Sequence, residues 1–376
     1  MASKAAYQAR GRRIFREVRR VKGGAKVDAI VVANGTMPIL DLSFFYLTGF
    51  ERGVFERSGV VLYPSGRMSI FTGTLEEESA KSRKGELFVF RQNRELEEWL
   101  AESLSGCRAV GVNAPDLSHK WAKDLRRWGK APLVDVSPAI HAVRGVKDGE
   151  ELRRMRKAAA IASDAAASIP EILRTGITEQ EAAAKLEYEM SRRGSSAPSF
   201  STICGFGASS SEPHYVPGKV KLRPGMFALF DFGGTFGRYC SDITRTFIYG
   251  TPTPKHKEIY SIVLESNLAG IDMMVEGVSA RKVHERCAEI IDRTKYKGRF
   301  IHSTGHSIGL AVHDGGQGIS RIADFTLKEG QVFSCEPGIY VPGFGGVRIE
   351  DDVVIGKSKA KVLTYAEKEQ ISVRAR

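Results

Sequence analysis

Two aspartates in adjoining strand-like segments limit what this chain can fold into. Asp231 ends the apolar run 226–231 just before two glycines, so its carboxylate lies where a buried strand should meet a turn. Asp242 lies in the β-branched and aromatic stretch 239–249, which is expected to pair with the first strand as a hairpin through residues 233–237. Facing carboxylates repel each other unless a cation occupies the space between them. The pair therefore predicts a metal site.

Three further side chains downstream suit metal ligation. His306 stands between two glycines, and Glu336 and Glu350 each end a β-rich run. Four carboxylates and one imidazole favour Mn, Fe, Co or Zn, and they disfavour copper or an iron–sulfur cluster. Four acids suit two divalent ions better than one, because the charges cancel and carboxylates can bridge ions roughly 3.5 to 4 Å apart. We therefore predict a dinuclear hydrolytic centre. Its ligands are Asp231, Asp242, His306, Glu336 and Glu350.

The length of 376 residues predicts two domains. Residues 27–112 alternate β-rich runs with polar or helical stretches, which indicates a compact α/β domain that ends near residues 136–138. The β-rich runs are Val27 to Val32, Gly59 to Tyr63, Met68 to Phe71, Leu87 to Phe90 and Ala109 to Val112.

The rest of the chain repeats one pattern. Capping signals at Asp148 and Thr178 each open a helix, the second ending at Gly194, and strands follow. A second pair of helices starts at Thr253 and Ser279, and strands follow again. Two helices plus strands, occurring twice, predict a pseudo-twofold sheet with helices on its outer face and ligands pointing inward from both halves.

In order and local sequence, the five ligand motifs resemble those of the pita-bread metallopeptidases. This group holds prolidase (Xaa-Pro dipeptidase), aminopeptidase P and methionine aminopeptidase. The linking segment 140–155 also resembles the family's entry into its catalytic domain, and the resemblance is strong over residues 140–360 and loose before them. It implies an α/β creatinase/prolidase-like N-terminal domain over residues 1–139 and an α+β pita-bread catalytic domain over residues 140–376.

Taken singly, each ligand also has an ordinary structural explanation. Asp231 before two glycines is typical of a turn, and Glu336 before Pro-Gly is typical of a solvated strand end. Glu350 shares its stretch with Asp351 and Asp352, either of which could be the ligand instead. The joint occurrence of the five motifs in the family's order favours the metal centre.

The resemblance implies a role for each residue. Asp231 would chelate one ion, Asp242 and Glu350 would bridge both, and His306 with Glu336 would bind the other. A hydroxide between the ions would be the nucleophile, and Glu336 would be the general base that passes its proton to the leaving nitrogen. Imidazoles nearby, among them His214 and His313 as catalytic groups, would donate to the developing oxyanion. The residues that match substrate and transition-state contacts are His214, His302, His313 and Arg348.

The implied reaction is hydrolysis of Xaa-Pro dipeptides. Removal of the residue before proline from longer peptides, as by aminopeptidase P, is the alternative, and an inert pita-bread binding module is the alternative from another class. Methionine aminopeptidase is disfavoured because a whole domain precedes the catalytic one, and creatinase is disfavoured because all five ligands are present. In this family a partner subunit often caps the cleft, so we expect a homodimer.

The net charge of +12 raises the question of nucleic-acid binding. Both basic clusters are typical of helix faces and lack any nucleic-acid-binding signature, so we do not expect that function. They are Arg10, Arg12, Arg13, Arg16, Arg19, Arg20 and Lys22, and Lys120, Lys123, Arg126, Arg127 and Lys130. The longest apolar stretches are of strand length, and the charged N-terminus lacks the apolar core of a signal peptide. We therefore expect a cytoplasmic protein without membrane association.

No cysteine is a predicted metal ligand, and neither is any histidine outside the motifs. Five widely spaced cysteines without a C-x-x-C pair predict reduced thiols. Cys240 and Cys335 each adjoin a predicted ligand, which suggests the hypothesis that oxidation inactivates the protein, although two small buried hydrophobes are the favoured interpretation. Four histidines outside the motifs are interpreted as surface or cap residues. They are His119, His141, His256 and His284.

Overall fold

The computed structural model describes residues 3–21, 26–82, 84–369 and 372–376. The chain divides into two compact units, Met1–Arg144 and Gly145–Arg376. The division falls inside the helix Ser137–Gly145, a few residues beyond the boundary expected after residue 139. Of the two basic clusters, Lys22 lies outside the described residues.

The first unit is an α/β domain built on a six-stranded mixed sheet. Its strands are β1 (Ala29–Ala33), β2 (Gly59–Leu62), β3 (Met68–Gly73), β4 (Glu86–Phe90), β5 (Val110–Val112) and β6 (Leu133–Asp135). Its helices are α1 (Lys4–Val21), α2 (Leu42–Thr48), α3 (Asn93–Ser103), α4 (His119–Gly129) and α5 (Ser137–Gly145), with 3-10 turns at Thr74–Glu76 and Ser79–Ser82. The strand order is β4-β3-β2-β1-β5-β6, and β2 runs antiparallel to both neighbours. All five predicted strands are confirmed, and β6 was missed.

Both faces of this sheet are buried, and the residues of one face form an apolar cluster with two helices. Alternate residues such as Val31, Val61 and Phe71 are fully buried against α3 and α4. All three tryptophans pack into this core: Trp121 is buried within it, and Trp99 and Trp128 are packed against it.

The second unit consists of five helices and several small sheets among the described residues. The helices are α6 (Gly149–Ala166), α7 (Ile169–Ile172), α8 (Glu179–Arg192), α9 (Pro254–Met273) and α10 (Ala280–Asp292), and a 3-10 turn covers Gly207–Ser211. The first strands are β7 (Ile203–Phe206), β8 (Met226–Phe232), β9 (Thr235–Phe236), β10 (Tyr239–Cys240) and β11 (Ile243–Tyr249). The later strands are β12 (Gly305–His306), β13 (Gly318–Ile319), β14 (Val332–Cys335), β15 (Gly338–Val341), β16 (Gly345–Arg348), β17 (Asp351–Val354), β18 (Lys361–Val362) and β19 (Ser372–Val373). The two largest sheets have the orders β19-β11-β8-β7 and β14-β17-β18.

The predicted recurrence of two helices followed by strands is confirmed. Asp148 and Thr178 are the N-caps of α6 and α8, each with its glutamate completing a capping box. Thr253 and Ser279 are the N-caps of α9 and α10. The helix expected to reach Gly194 ends at Arg192. Each half buries its own apolar cluster between its helices and strands, and each fully buried Leu, Ile or Phe contributes roughly 1.5–3 kcal/mol.

Strands β8 and β11 pair antiparallel as predicted, but the connection between them is longer than a simple turn. Thr244 lies opposite Asp231, and Ile243 lies opposite Phe232. The short strands β9 and β10 form their own hairpin in between, so Asp242 lies beyond the ladder rather than opposite Asp231. The connection requires glycine at position 233, where the backbone passes close to Ser241: a Cβ there would lie 1.8 Å from Ser241 O.

Substitution of Gly305 by alanine is expected to lower the free energy of unfolding by about 1–3 kcal/mol. A Cβ at Gly305 would lie 1.9 Å from Ser334 O, a backbone atom of the neighbouring strand β14. Gly149→Ala is the matched control, because a Cβ at Gly149 meets no atom within 4 Å, and its effect should stay within about 0.5 kcal/mol. Urea unfolding followed by far-ultraviolet circular dichroism measures both variants. Equal stabilities for the two would contradict the expected clash.

Among the described residues, no helix is both long enough and apolar enough to cross a lipid bilayer.

Candidate metal centre

The five predicted ligands all lie at strand ends of the second unit. Asp231 is near the end of β8, and Asp242 directly precedes β11. His306 ends β12, Glu336 directly follows β14, and Glu350 lies between β16 and β17. Contacts between strands of separate sheets bring these segments together, so residues more than 100 positions apart share one site.

Asp242, His306 and Glu350 form the tightest group. One ligand atom from each lies within 4.8 Å of the others. His306 Nε2 is 3.4 Å from Asp242 Oδ2 and 3.5 Å from Glu336 Oε1, so Glu336 adjoins the same group. Asp231 is not a member of that group, and its Oδ2 accepts a hydrogen bond from Arg348 Nη2.

The donor set fits divalent cations. Asp231 Oδ1 and Asp242 Oδ1 are buried without a hydrogen-bond partner among the described residues. A buried carboxylate oxygen without a partner carries a large desolvation cost, which a cation removes. Oxygen ligands with one imidazole match the preferences of Mn, Co, Fe or Zn.

The carboxyl groups of the site have strongly raised pKa values. Burial, then Glu350, then Asp231 raise the pKa of Asp242 well above its ordinary range. Burial and the nearby Glu336 do the same for Glu350. Burial raises the pKa of Glu336 to about 8, and Arg348 only partly opposes this. Bound divalent ions would favour the ionised carboxylates, and so reverse these shifts.

The imidazole of His306 is held neutral in its position. Burial, together with His313, lowers its pKa to about 4. The rings of His306 and His313 stack with their centroids 3.8 Å apart, and the His306 amide donates to Ser334 Oγ at 3.0 Å. A neutral imidazole with its Nε2 turned toward carboxylates is the form that binds a metal ion.

The structure separates the three adjacent acids at residues 350–352. Asp351 is fully buried and forms ion pairs with Arg245 and Lys368, each at 2.8 Å. Asp352 Oδ2 accepts from the Asp242 amide at 3.0 Å. Glu350 alone of the three belongs to the group of close ligand atoms, which supports it as the ligand.

Arg348 organises one wall of the site. Its guanidinium is almost fully buried, and it donates to Asp231, to Thr244 Oγ1 at 3.0 Å and to the Tyr340 hydroxyl at 2.9 Å. Thr244 Oγ1 in turn donates to Glu350 Oε2 at 2.6 Å. Arg348 therefore links two of the predicted ligands, Asp231 directly and Glu350 through Thr244.

His302 lies beside this wall with both ring nitrogens engaged by the protein. Its Nε2 is 2.7 Å from the Tyr340 hydroxyl, and its Nδ1 is 2.8 Å from Ser303 O. Burial and Arg348 lower its pKa to about 3, so it is neutral. Since both nitrogens already have partners, His302 can contact a substrate through its ring face or by exchanging the Tyr340 contact.

His214 and His313 lie at the more open side of the site, and both are exposed. Burial, followed by the charge of His214, lowers the pKa of His313, which places the two imidazoles near each other. The carbonyl of Pro213 lies 3.5 Å from Arg348 Nη1, so the segment carrying His214 contacts the wall of the site.

Sequence reasoning missed Thr244, Arg245 and Tyr340. Tyr340 lies four residues after Glu336 in β15, and Thr244 and Arg245 lie just after Asp242 in β11. Alternation along these strands could have indicated which of these side chains face the ligands. The contacts of Thr244 and Arg245 with Glu350, however, span more than 100 residues, so they leave no local signal. Tyr340 contacts Arg348, eight residues further on, and His302, 38 residues earlier.

The other histidines have structural roles. His256 is a cap residue of α9, as expected, since its Nδ1 accepts from the Thr253 amide at 3.1 Å. It is buried, so of the two expected roles, surface or cap, it has the cap role. His284 Nδ1 lies 3.0 Å from Thr304 Oγ1, next to the turn that carries His306. His119 begins α4, and His141 lies in α5.

All five cysteines are free. Cys240 and Cys335 are buried, and burial raises the pKa of the Cys240 thiol to about 12. Since thiolates rather than thiols react with oxidants, these two positions are poor targets. The hypothesis of redox inactivation gains no support from this geometry.

Comparison with known proteins agrees with this geometry. The profile of metallopeptidase family M24 matches residues 153–357, and that of the creatinase/prolidase N-terminal domain matches residues 16–146. The chain is 32% identical to an Xaa-Pro dipeptidase of Pyrococcus horikoshii, over 92% of this chain and 95% of that one. It is 35% identical to the putative dipeptidase YkvY of Bacillus subtilis, over 87% and 92%.

Solved structures show the same architecture. An Xaa-Pro dipeptidase from Bacillus anthracis superposes with a TM-score of 0.88 at 30% identity, covering 98% of this chain and 100% of that one. An X-Pro aminopeptidase from Thermotoga maritima superposes with a TM-score of 0.87 at 28% identity, covering 96% and 99%. The predicted family and fold class are confirmed: the chain belongs to metallopeptidase family M24, with a creatinase/prolidase-type N-terminal domain ahead of a pita-bread catalytic domain.

Proposed function

We propose that this protein is a proline-specific metallo-exopeptidase that hydrolyses Xaa-Pro dipeptides. The observation that carries the proposal is the arrangement of Glu336, whose Oε1 lies 3.5 Å from His306 Nε2 beside the Asp242, His306 and Glu350 group. Relatives named Xaa-Pro dipeptidase span nearly the whole chain, which supports proline as the residue on the leaving side.

We propose that five residues hold two divalent ions, which would be Mn, Co, Fe or Zn. They are Asp231, Asp242, His306, Glu336 and Glu350. The buried carboxylate oxygens without partners and the raised carboxyl pKa values support this set. When bound, such ions polarise a carbonyl and stabilise negative charge on its oxygen.

Glu336 is the group that moves protons in this proposal. Its carboxyl takes the proton from the attacking water and delivers it to the proline nitrogen as the C–N bond breaks. That nitrogen belongs to a tertiary amide without an N–H, so it leaves readily only when it is protonated.

We assign substrate contacts to the residues around the ligands. In this proposal His214 and His313, which are exposed, donate hydrogen bonds to the substrate carbonyl as negative charge develops on its oxygen. Arg348 holds Asp231 and presents positive charge on its wall of the site, and His302 with Tyr340 completes that wall.

An Xaa-Pro aminopeptidase activity is the second candidate. It is favoured by the likeness to the Thermotoga maritima X-Pro aminopeptidase, which is almost as close as the likeness to the dipeptidases. Incubation of manganese-loaded protein with alanyl-proline and, in parallel, with alanyl-prolyl-alanine separates the two. We expect the dipeptide to be cleaved faster; preference for the tripeptide would favour the aminopeptidase, and no cleavage of either would overturn the proposal.

We also propose a homodimer located in the cytoplasm. The dimer is supported by the family membership, since a partner subunit often caps the cleft in relatives. The cytoplasmic location is supported by five free cysteines, four of them buried. Light scattering of the full chain tests the dimer, and a monomeric mass would contradict it.

A further inference from the structure

A buried carboxylate outside the metal centre holds the segment that carries His214. Glu179, the first residue of α8, is fully buried. Its Oε1 accepts from the Phe206 amide at 2.8 Å, and its Oε2 accepts from the Tyr215 hydroxyl at 2.8 Å and the Gly218 amide at 3.0 Å. Phe206 and Gly218 flank residues 207–217 and Tyr215 lies within them, so one side chain ties both ends of that segment and the residue next to His214.

The backbone around Glu179 strengthens the same junction. The Glu179 amide donates to Val220 O, and the Gln180 amide donates to Gly218 O, both at 3.2 Å. Along the segment itself, the Gly346 amide donates to Ser210 Oγ at 2.8 Å. The segment is therefore fixed at its ends and at Ser210, while His214 projects from the part between these anchors.

His214 is exposed, so the backbone on either side must set its position. Its neighbour Tyr215 is bound to Glu179, and its neighbour Pro213 contacts Arg348 Nη1. The first of these contacts is the stronger, since Tyr215 donates a short hydrogen bond to a buried carboxylate whereas the Pro213 contact is at 3.5 Å.

We propose that Glu179 is a positioning residue that holds His214 at the substrate side of the metal centre. The inference rests on the proposed function, in which His214 donates to the developing oxyanion. Glu179 touches neither substrate nor metal ligands, and it acts only through the 207–217 segment.

Glutamine cannot replace Glu179 at this junction. Each carboxylate oxygen accepts one backbone N–H, Oε1 from Phe206 and Oε2 from Gly218. An amide has a single acceptor oxygen, so in either orientation its NH2 group faces a backbone N–H, which is left unpaired in the interior. The volume stays the same, so the substitution tests the hydrogen bonds and not the packing.

The matched control is Glu181→Gln in the same turn of α8. The Glu181 carboxylate completes the capping box with Thr178 and is exposed, and glutamine serves equally well at that position. Both proteins thus carry the same chemical change within one helical turn. Only one of them disturbs the 207–217 segment.

The test is a double-mutant cycle measured on the manganese-loaded full chain with alanyl-proline. We expect Glu179→Gln to lower kcat at least about tenfold at unchanged metal content, with Glu181→Gln unchanged. In a His214→Ala background, Glu179→Gln should cost less than about twofold, because the group that it positions is gone. The inference would be overturned if Glu179→Gln lowered kcat by the same factor in the His214→Ala background as in the wild type. It would also be overturned if the single variant had an unchanged kcat.

Hydrogen exchange separates this inference from the proposed peptidase activity. Backbone amides of residues 206–218 should exchange at least about tenfold faster in Glu179→Gln than in wild type or Glu181→Gln, whether or not alanyl-proline is cleaved. If the wild type does not cleave the peptide, the proposed function fails and the exchange result alone decides on Glu179. Unchanged exchange would refute the role. Should Glu179→Gln not fold, Tyr215→Phe removes only one of the three bonds and should show the same pattern more weakly.

Discussion

The Glu336→Gln protein should fold normally and hydrolyse alanyl-proline with kcat lowered by roughly 10²–10⁴. The amide has almost the same shape as the carboxyl, so packing is kept. Burial already disfavours the ionised form of Glu336, which raises its pKa to about 8, so removing the charge does not cost fold stability. What is lost is the group that transfers the proton to the proline nitrogen, together with one of the five proposed carboxylate or imidazole ligands, so the metal content of the variant is measured alongside kcat.

The measurement is steady-state kinetics on metal-loaded protein, with circular dichroism to verify the fold. Glu329→Gln serves as the control, because that carboxylate is 52% exposed and lies 3.9 Å from Lys357, outside the site. Its kcat should equal that of wild type. A Glu336→Gln protein with wild-type kcat would exclude Glu336 as the base.

Removal of the divalent ions should abolish activity. It should also make the free energy of unfolding change with pH in the opposite direction to that of the metal-loaded protein. In the ion-free protein, we expect the free energy of unfolding to fall as the pH rises from 6.5 to about 8. The folded state keeps a proton on Glu336 up to about pH 8, whereas the unfolded state loses it near the ordinary value of 4.5. A folded state that binds more protons is destabilised as pH rises, by up to about 1.4 kcal/mol per pH unit for each such group.

Other buried groups leave the sign of this effect unchanged. Asp242, Glu350 and Asp352 also have raised pKa values, chiefly through burial, so they act in the same direction where they titrate. His302 and His306 have lowered values and would stabilise the fold as pH rises, but only below the ordinary histidine value of 6.5. The histidine contribution therefore fades above pH 6.5, and the carboxyl groups increasingly determine the slope.

Metal loading should reverse this slope, because the ions bind the ionised carboxylates and binding releases protons. Calorimetric Tm values of chelator-treated and manganese-loaded protein, compared across this pH window, measure both slopes. A Tm of the ion-free protein that rises with pH would contradict the expectation. Elemental analysis of the same samples should find two ions per chain, and fewer than one after Mn or Co loading would favour an inert binding module.

The sequence predicted those features that have local signals. The caps at Asp148 and Thr178 and the longer strands of both units follow from hydrophobic pattern and capping chemistry within a few residues. The short strand pair β9 and β10 was missed, since a two-residue strand has no periodicity to detect. The strand β6 was also missed: it is as short as β5, but its residues are only half-buried and end in Asp135, so it lacks a buried apolar run.

The candidate site, too, was predicted where the signal is local and missed where it is not. The five ligand positions were chosen from motifs, and the structure brings Asp242, His306 and Glu350 within 4.8 Å of one another with Glu336 beside them. The contact of Asp231 with Arg348 was not foreseen, and neither was the support of Glu350 by Thr244. Both are contacts between strands of separate sheets that lie more than 100 residues apart in the sequence, and no local pattern records such contacts.

Because all three tryptophans lie in the first unit, the two units can be followed by different spectroscopic signals. Indole emission follows only residues before Arg144, whereas the visible absorption of cobalt bound to the predicted ligands would follow only residues after Gly145. A single heated sample therefore reports two melting curves at once. If the two melting curves superimpose, the two units unfold in one cooperative transition. If the curves separate, each unit has its own stability and can be engineered independently.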